Sequence, residues 1–288
     1  MHQRLGIALG SGGARGIAHL AMLEVLDDLG WRPSMIAGTS VGAIVGAIYA
    51  SGMSAAEFRT RIVDMSVAED ETGMALLFNE GFRKWLDYAS LDFRRKSLLD
   101  VDAFLRDMGV DINGKHFEDL DIPLKVVASD FWRREQVVFD SGELMPAIEA
   151  SMALPGVFRP VKIGNRVLID GGAVNPVPYD LLFDVCDVVV AIDVMGERLP
   201  HSDELPGLGE NVLNTFQIMQ KTILHEKLAA RKPDIYIQPP VSEVRVLEFY
   251  KAERVLRQSR EGAEQLRAEL EKVLAGEVAL SRADGSRP

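Results

Sequence analysis

Ser40 stands in Gly38-Thr39-Ser40-Val41-Gly42, a serine with a glycine two positions before it and another two after. A hydroxyl framed this way can occupy a sharp turn between a strand and a helix, because only glycine lets neighbouring backbone approach so closely. The residues before it are apolar and a small-residue helix starts at once. The hydroxyl would therefore sit at a helix N-terminus, where the positive end of the helix dipole favours a developing alkoxide or oxyanion. Acyl transfer through a serine nucleophile is the chemistry this arrangement could do. A capping serine at a glycine-rich helix start would give the same five residues.

A second glycine-rich segment, Gly10-Ser11-Gly12-Gly13-Ala14-Arg15-Gly16, also lies between a strand and a helix. Its unhindered amides can form a concave pocket of donors for an anion, which in a serine hydrolase is the oxyanion hole. A dinucleotide loop is the rival reading, and the pattern fits it poorly. Counting from Gly10, the third required glycine position holds Arg15, and Gly38-Thr39-Ser40 takes the place where an acidic residue would end the second strand. A triphosphate-binding loop fails for want of the Gly-Lys-Ser/Thr ending.

A nucleophilic serine needs a proton acceptor. Asp170, in Leu168-Ile169-Asp170-Gly171-Gly172-Ala173, follows an apolar strand and precedes two glycines that leave its carboxylate unobstructed. Asp-Gly-Gly is also an ordinary turn. Of the five histidines, His201 falls in a Pro- and Gly-rich loop and His225 in an amphipathic helix, and neither carries a supporting motif; His2 and His116 offer none either. His19, one turn into the first helix, reads as a structural hydrogen-bonding residue.

The elements that must position these groups follow from periodicity. Leu5 to Leu9 predicts a buried strand, Gly10 to Gly16 a tight loop, and Ile17 to Leu29 a helix closed by Gly30. Ser34 to Ala37 predicts a second strand and Val41 to Ala50 a helix ending at Gly52. Ser54 is placed to cap a helix from Ala55 to Val67. Apolar residues at helical spacing between Ala68 and Ile122 predict a helical insertion. Leu124 to Ser129 and Gln136 to Phe139 predict strands joined by a turn around Arg133-Arg134-Glu135, Glu143 to Ala153 a helix, and Val161 to Asp170 a hairpin turning at Gly164-Asn165. Asp187 to Val194 is a β-branched run suited to a strand covered on both faces. Two long helices, about Asn211 to Arg231 and Val246 to Ala275, flank a strand from Asp234 to Gln238. Strands alternating with helices predict an α/β fold of three layers, α/β/α, around a central, mostly parallel sheet. Residues 1–280 form one expected domain, with 281–288 a disordered tail.

The 288 residues are 47% hydrophobic and 26% charged, ordinary for a globular chain with a large core. A formal net charge of −11 argues against nucleic acid as a partner. Cys186, the single cysteine, lies in an apolar stretch and reads as a small buried hydrophobe. No disulfide or thiolate metal site is expected, and no motif calls for a metal or cofactor. The apolar run at the N-terminus is short for a signal peptide, and no stretch reaches the ~20 residues needed to span a bilayer. The expected compartment is the cytoplasm, with peripheral contact at the inner membrane face left open.

Three motifs in order, Gly12-Gly13-Ala14-Arg15-Gly16, Gly38-Thr39-Ser40-Val41-Gly42 and Asp170-Gly171-Gly172, together resemble the patatin-like phospholipases. These are bacterial and eukaryotic lipid acyl hydrolases that include the catalytic domain of neuropathy target esterase. Ala150-Ser151-Met152-Ala153-Leu154-Pro155-Gly156-Val157-Phe158-Arg159-Pro160 is similar to the family's segment before the Asp-Gly-Gly strand, and the resemblance runs from about Leu5 to Asp193. It implies the patatin-like fold and a Ser-Asp dyad without a catalytic histidine. Carried over, Ser40 is the nucleophile, Asp170 the base, and Gly12, Gly13 and Ala14 the oxyanion donors. Arg15 matches the family's basic residue and anchors the loop. Gly16, Gly38, Gly42, Gly171 and Gly172 complete the motifs. Ser11 departs from the pattern, standing where many relatives have glycine; serine would strain the loop if that position required a positive φ.

The substrate so implied is a lipid or other acyl ester. Leu76, Leu77, Phe78, Phe82 and Trp85 could meet its apolar chain and Arg83-Lys84 and Arg94-Arg95-Lys96 lipid phosphates, although a core-facing helix with a solvated basic face is the favoured reading of the same residues. An acyltransferase using the same dyad, or a low-turnover lipid-binding regulatory protein, are the alternatives. Leu247, Val255, Leu266, Leu270 and Val273 give the last helix an apolar stripe that packs on its own domain or on a second copy in a homodimer.

Overall fold

The computed structural model describes residues 3–64, 112, 114–196 and 205–276. Every residue of strand β1 (Leu5–Leu9) is buried, and alternation of its side chains defines two faces. Leu5, Ile7 and Leu9 enter one core while Ala8 enters another. Strand β7 (Val188–Ile192) follows the same rule, with Val188, Val190 and Ile192 on the first side and Val189 and Ala191 on the second. Apolar residues on both faces require a layer on each side. The first face carries the bulkier side chains and is covered by helices α1 (Ala18–Leu29), α2 (Val41–Ala50), α3 (Ala55–Asp64), α4 (Leu144–Ser151), α6 (Ala252–Gln258) and α7 (Arg260–Leu274). The second presents alanines, against which the thinner cover of a 3-10 turn at Tyr179–Leu182 and the long helix α5 (Leu208–Ala230) is packed. This is the expected three-layer α/β/α arrangement.

The remaining strands are β2 (Met35–Thr39), β3 (Leu124–Asp130), β4 (Glu135–Phe139), β5 (Val161–Ile163), β6 (Arg166–Asp170) and β8 (Ile235–Ile237). The eight strands form one sheet in the order β5-β6-β3-β2-β1-β7-β8, with β4 also on β3. β3, β2, β1, β7 and β8 run parallel, and the hairpins add β4, β6 and β5 through antiparallel pairings of β4 and β6 with β3 and of β5 with β6. Since β4 covers one edge of β3, β2 and β6 must share the other. β2 pairs with it up to Thr39 opposite Val127, and β6 takes over with Asp170 opposite Ala128. The residue after Thr39 thus leaves the sheet where Asp170 arrives.

Local signals hold at several ends. Gly30 closes α1 at φ 62, the Ser54 hydroxyl accepts from the Glu57 N–H at 3.2 Å, and Gly164 turns the β5-β6 hairpin at φ 58. Cys186 is buried with its sulfur against Gly6. The C-terminal helix departs from expectation. It is a 3-10 turn at Phe249–Lys251 followed by α6 and α7, broken at Ser259, whose buried hydroxyl donates to the Leu256 carbonyl at 2.9 Å. The break lets Gly262 lie against Pro239 and turns Leu266, Leu270 and Val273 into the first core. The apolar stripe therefore packs on its own chain. Most of the expected insertion at 68–122, including Leu76, Leu77, Phe78, Phe82, Trp85 and the neighbouring basic residues, lies outside the described residues, as do the 281–288 tail, His2 and His201.

Candidate active site

The loop after β1 is fixed by its backbone. Gly10 N–H donates to the Ile192 carbonyl at 3.0 Å, Ser11 N–H to Pro176 at 2.8 Å and Ala14 N–H to Val246 at 2.8 Å. The chain then tightens into a 3-10 turn, Gly13–Ile17, where the sequence alone suggests only a loop. Gly13 has φ 59, and the Val246 carbonyl occupies the space a side chain would need. Ala14 is thereby corrected from expected donor to brace, since its N–H is already bonded. The amides of Gly12 and Gly13 have no acceptor among the described residues. Ser11 strains nothing, because the positive φ falls at Gly13, and its hydroxyl accepts from Gln220 Nε2 at 2.9 Å. Arg15 is buried, with its chain against Gly196 and its charge favouring the ionised form of buried Asp193.

Ser40 has φ 57 and ψ −125, a conformation few non-glycine residues adopt, at a cost of about 1–3 kcal/mol. The surroundings enforce it. Gly42 lies so close to the Leu9 carbonyl that a Cβ would collide with it, which locks the start of α2 onto the end of β1. The Ser40 N–H donates to Ser151 Oγ at 2.8 Å and its carbonyl accepts from Ala43 N–H at 2.9 Å. Gly16, Gly38, Gly171 and Gly172 are packed equally tightly, against Val41, Ala43, the Val127 carbonyl and the Gln220 amide.

Asp170 ends β6 with its N–H bonded to the Ala153 carbonyl at 3.0 Å and its own carbonyl accepting from Ser129 Oγ at 2.8 Å. Its carboxylate accepts from Gly172 N–H at 2.7 Å. Burial pushes this carboxyl up to about 6, opposed by the Gly172 N–H and by the Ser40 hydroxyl, each of which favours the charged form. The two side chains expected to cooperate are thus brought together.

Both open into an apolar cavity. Its lining includes Ile17 and Leu20, Val41, Ile44 and Val45 of α2, Phe58 and Ile62 of α3, and Leu154, Phe158, Leu213, Phe216 and Leu247. His19 is buried with Nε2 at 2.9 Å from the Gly10 carbonyl, and burial lowers its pKa to about 4, so it stays neutral and braces the loop. His116 and His225 are exposed.

Several residues of this site carry no motif. Thr39 Oγ1 donates to the Asn175 carbonyl at 2.8 Å, and Lys227 Nζ bonds Asn175 Oδ1, Asp180 Oδ1 and, at 2.9 Å, the Val177 carbonyl. The segment after Asp170 is thus tied to the turn holding Ser40 and to α5. Gln220 bridges α5 to Ser11 and touches Gly172, and Val246 holds Ala14. Ser151 was visible only as part of the Ala150 to Pro160 segment. Gln220 and Val246 gave no signal, because they come from the far end of the chain.

The sequence model of the patatin-like phospholipase family matches residues 7–183, more than half of the chain. This chain belongs to the patatin-like phospholipase family. It is 32% identical over 240 residues to an uncharacterized NTE family protein of Mycobacterium tuberculosis, covering 79% of this chain and 59% of the relative. It is 28% identical over 278 residues to patatin-like phospholipase domain-containing protein 7 of Rattus norvegicus, covering 87% of this chain and 20% of that protein. Among solved structures, VipD from Legionella pneumophila aligns with a TM-score of 0.49 at 15% identity, over 93% of this chain and 67% of VipD. The chain thus spans less than two thirds of the mycobacterial relative's length and a fifth of the rat one. Within the patatin-like span lie the glycine loop, Ser40, Ser151 and Asp170; Gln220, Lys227 and Val246 fall after it.

Proposed function

We propose that this patatin-like protein is a serine acyl hydrolase acting on lipid esters through Ser40 and Asp170. The single observation that carries the reading is a serine held at φ 57 beside a buried carboxylate, both lining an apolar cavity. In the acylation step Ser40 Oγ attacks the ester carbonyl as its proton passes to Asp170, and the carbonyl π electrons move onto oxygen. The unbonded N–H groups of Gly12 and Gly13 are the donors for that oxyanion, each worth about 3 kcal/mol of transition-state stabilisation. Collapse of the tetrahedral species expels the alcohol, which takes the proton from Asp170, and leaves an acyl-Ser40 ester. Asp170 then deprotonates water, which attacks the same carbonyl; collapse breaks the bond to Ser40 Oγ, releases the fatty acid and returns the proton from Asp170 to Ser40. An alcohol in place of water would make the same site an acyltransferase.

Release of labelled fatty acid should disappear in Ser40→Ala and fall at least a thousandfold in Asp170→Asn, roughly the loss of ~4 kcal/mol that removal of an essential base implies. Substitution of His19, His116 or His225 should leave the chemical step in place. A fluorophosphonate that fails to label Ser40 in the folded protein would overturn the reading, and adding glycerol to the assay distinguishes hydrolysis from transfer by the product formed.

A further inference from the structure

We infer that the carboxyl edge of the sheet is a docking surface for a bilayer bearing anionic lipid, with the β3-β4 turn as its anchor. β1, β2 and β3 are parallel, so their C-terminal ends share one edge of the molecule, and Ser40 leaves the sheet there. β3 continues past the site. Ala128 faces Asp170, and Asp130 lies two residues further on, about 7 Å beyond along the strand. The chain then turns through Phe131, Trp132, Arg133 and Arg134 before re-entering as β4.

Phe131 is 47% and Trp132 74% exposed, an unusual position for two large aromatic residues. They pack edge to face with centroids 4.9 Å apart. The turn is rigid. Asp130 Oδ1 accepts from the N–H groups of Trp132 at 3.1 Å and Arg133 at 3.0 Å, its carbonyl accepts from Arg134 N–H at 2.8 Å, and Arg134 sits at φ 58. Phe131 N–H also bonds the Val167 carbonyl at 2.8 Å, which sets the β5-β6 hairpin alongside the turn.

Cations surround the aromatic pair. Arg133 and Arg166 contact Asp130 and Glu135, whereas Arg134 makes no ion pair among the described residues and Lys162, opposite Val167, is exposed. Four cations against two carboxylates leave a local excess of positive charge on a chain of net charge −11. Aromatic side chains flanked by arginine suit the headgroup layer, the rings entering it and the guanidinium groups meeting phosphate.

A second apolar group is carried by α5. α5 begins after β7, at the same edge, and its Leu213 and Phe216 line the cavity. On its flank Val212 is 41% exposed beside Gly156, and Leu205 just before the helix is 94% exposed. A bilayer touching both groups would lie against the edge at which Ser40 leaves the sheet. The inference deepens the proposed hydrolase by naming the physical form of its substrate, and it rests on that reading only for the activity arm of the test.

The test uses the full chain carrying Ser40→Ala, so that binding is measured without turnover, and sedimentation with phosphatidylcholine vesicles and with vesicles containing phosphatidylglycerol. Preferential binding to the anionic vesicles is expected, with a blue shift of tryptophan fluorescence that Trp132→Phe abolishes. Phe131→Ser with Trp132→Ser should lower the affinity at least tenfold while leaving circular dichroism and melting unchanged. Arg133→Gln with Arg134→Gln should lower it about 25-fold on anionic vesicles alone, from about fivefold per arginine. In the active protein the aromatic pair of substitutions should remove vesicle hydrolysis and spare a dispersed short-chain ester. Equal vesicle binding by the wild-type surface and by both double variants overturns the inference, as does a dimer that dissociates when Phe131 and Trp132 are replaced. If no ester is turned over, the hydrolase reading fails and sedimentation still decides the docking surface.

Discussion

Asp170→Asn should make the protein more stable and inactive at once. Burial raises the Asp170 carboxyl from 3.8 to about 6 in the folded protein. Between those values the folded state binds a proton that the unfolded chain has released, so stability is fully present below about 4, falls as pH rises through about 6, and stays low above it. Two pKa units correspond to about 3 kcal/mol. Asparagine keeps the shape and the oxygen that accepts from Gly172 N–H at 2.7 Å, but carries no charge to bury. At pH 8 the variant should therefore unfold about 3 kcal/mol later than wild type, a rise in melting temperature of roughly 6 °C for a chain of this size. At pH 4 the two should coincide. His19 sharpens the contrast. Its pKa is lowered from 6.5 to about 4, so its contribution is lost as pH falls through that interval, opposite in sign to Asp170 and of similar size. In wild type the two effects largely cancel between pH 4 and 6, whereas the variant should weaken steeply on acidification. Urea unfolding followed by circular dichroism from pH 4 to 8 measures both curves. A gap that is absent at pH 8, or that does not change with pH, refutes the assignment of a buried charge at this position.

Three further outcomes follow from the same geometry. With Asp170 as the base, kcat/KM for a neutral ester should rise with pH as a single ionisation centred near 6 and level off above it, and a profile flat from pH 4 to 8 would exclude that role. Gln220→Leu removes the bond to Ser11 at 2.9 Å, so kcat should fall about tenfold, the equivalent of one buried hydrogen bond near 1.4 kcal/mol, with KM within twofold; steady-state kinetics on a dispersed ester gives the split. Gly42→Ala should abolish labelling of Ser40 and cost at least ~3 kcal/mol because the new methyl meets the Leu9 carbonyl, whereas Gly30→Ala, with open space around it and only φ 62 to strain, should cost about 1 kcal/mol. Chemical denaturation of the two alanine variants makes that comparison directly.

What the sequence disclosed and what it hid differ in range. Gly38 and Gly42 announce the turn at Ser40 because the steric demand is local, and β7 reads as doubly covered because its residues are apolar at every position. The two glycines after Asp170 likewise mark a close approach. Which backbone each approaches is not written nearby. The meeting of Ser40 with Asp170 depends on β3 lending one edge first to β2 and then to β6, a relation between segments more than a hundred residues apart. Ala14 looks like any other loop amide until the Val246 carbonyl takes its N–H. Ser11 looks anomalous until the positive φ is found at Gly13 and its hydroxyl on Gln220. The break at Ser259 was hidden because the apolar spacing on either side continues, and only packing against Pro239 and β8 demands a change of direction.

The braces of the glycine loop also impose an order on synthesis. A ribosome delivers Ser11, Ala14 and Ser40 close together, Asp170 more than a hundred residues later, and Gln220 and Val246 later still. A chain interrupted before α5 contains the serine and the carboxylate but neither of the groups that hold Ser11 and Ala14 in place. Synthesis through Val246 is thus a precondition for a fully braced site.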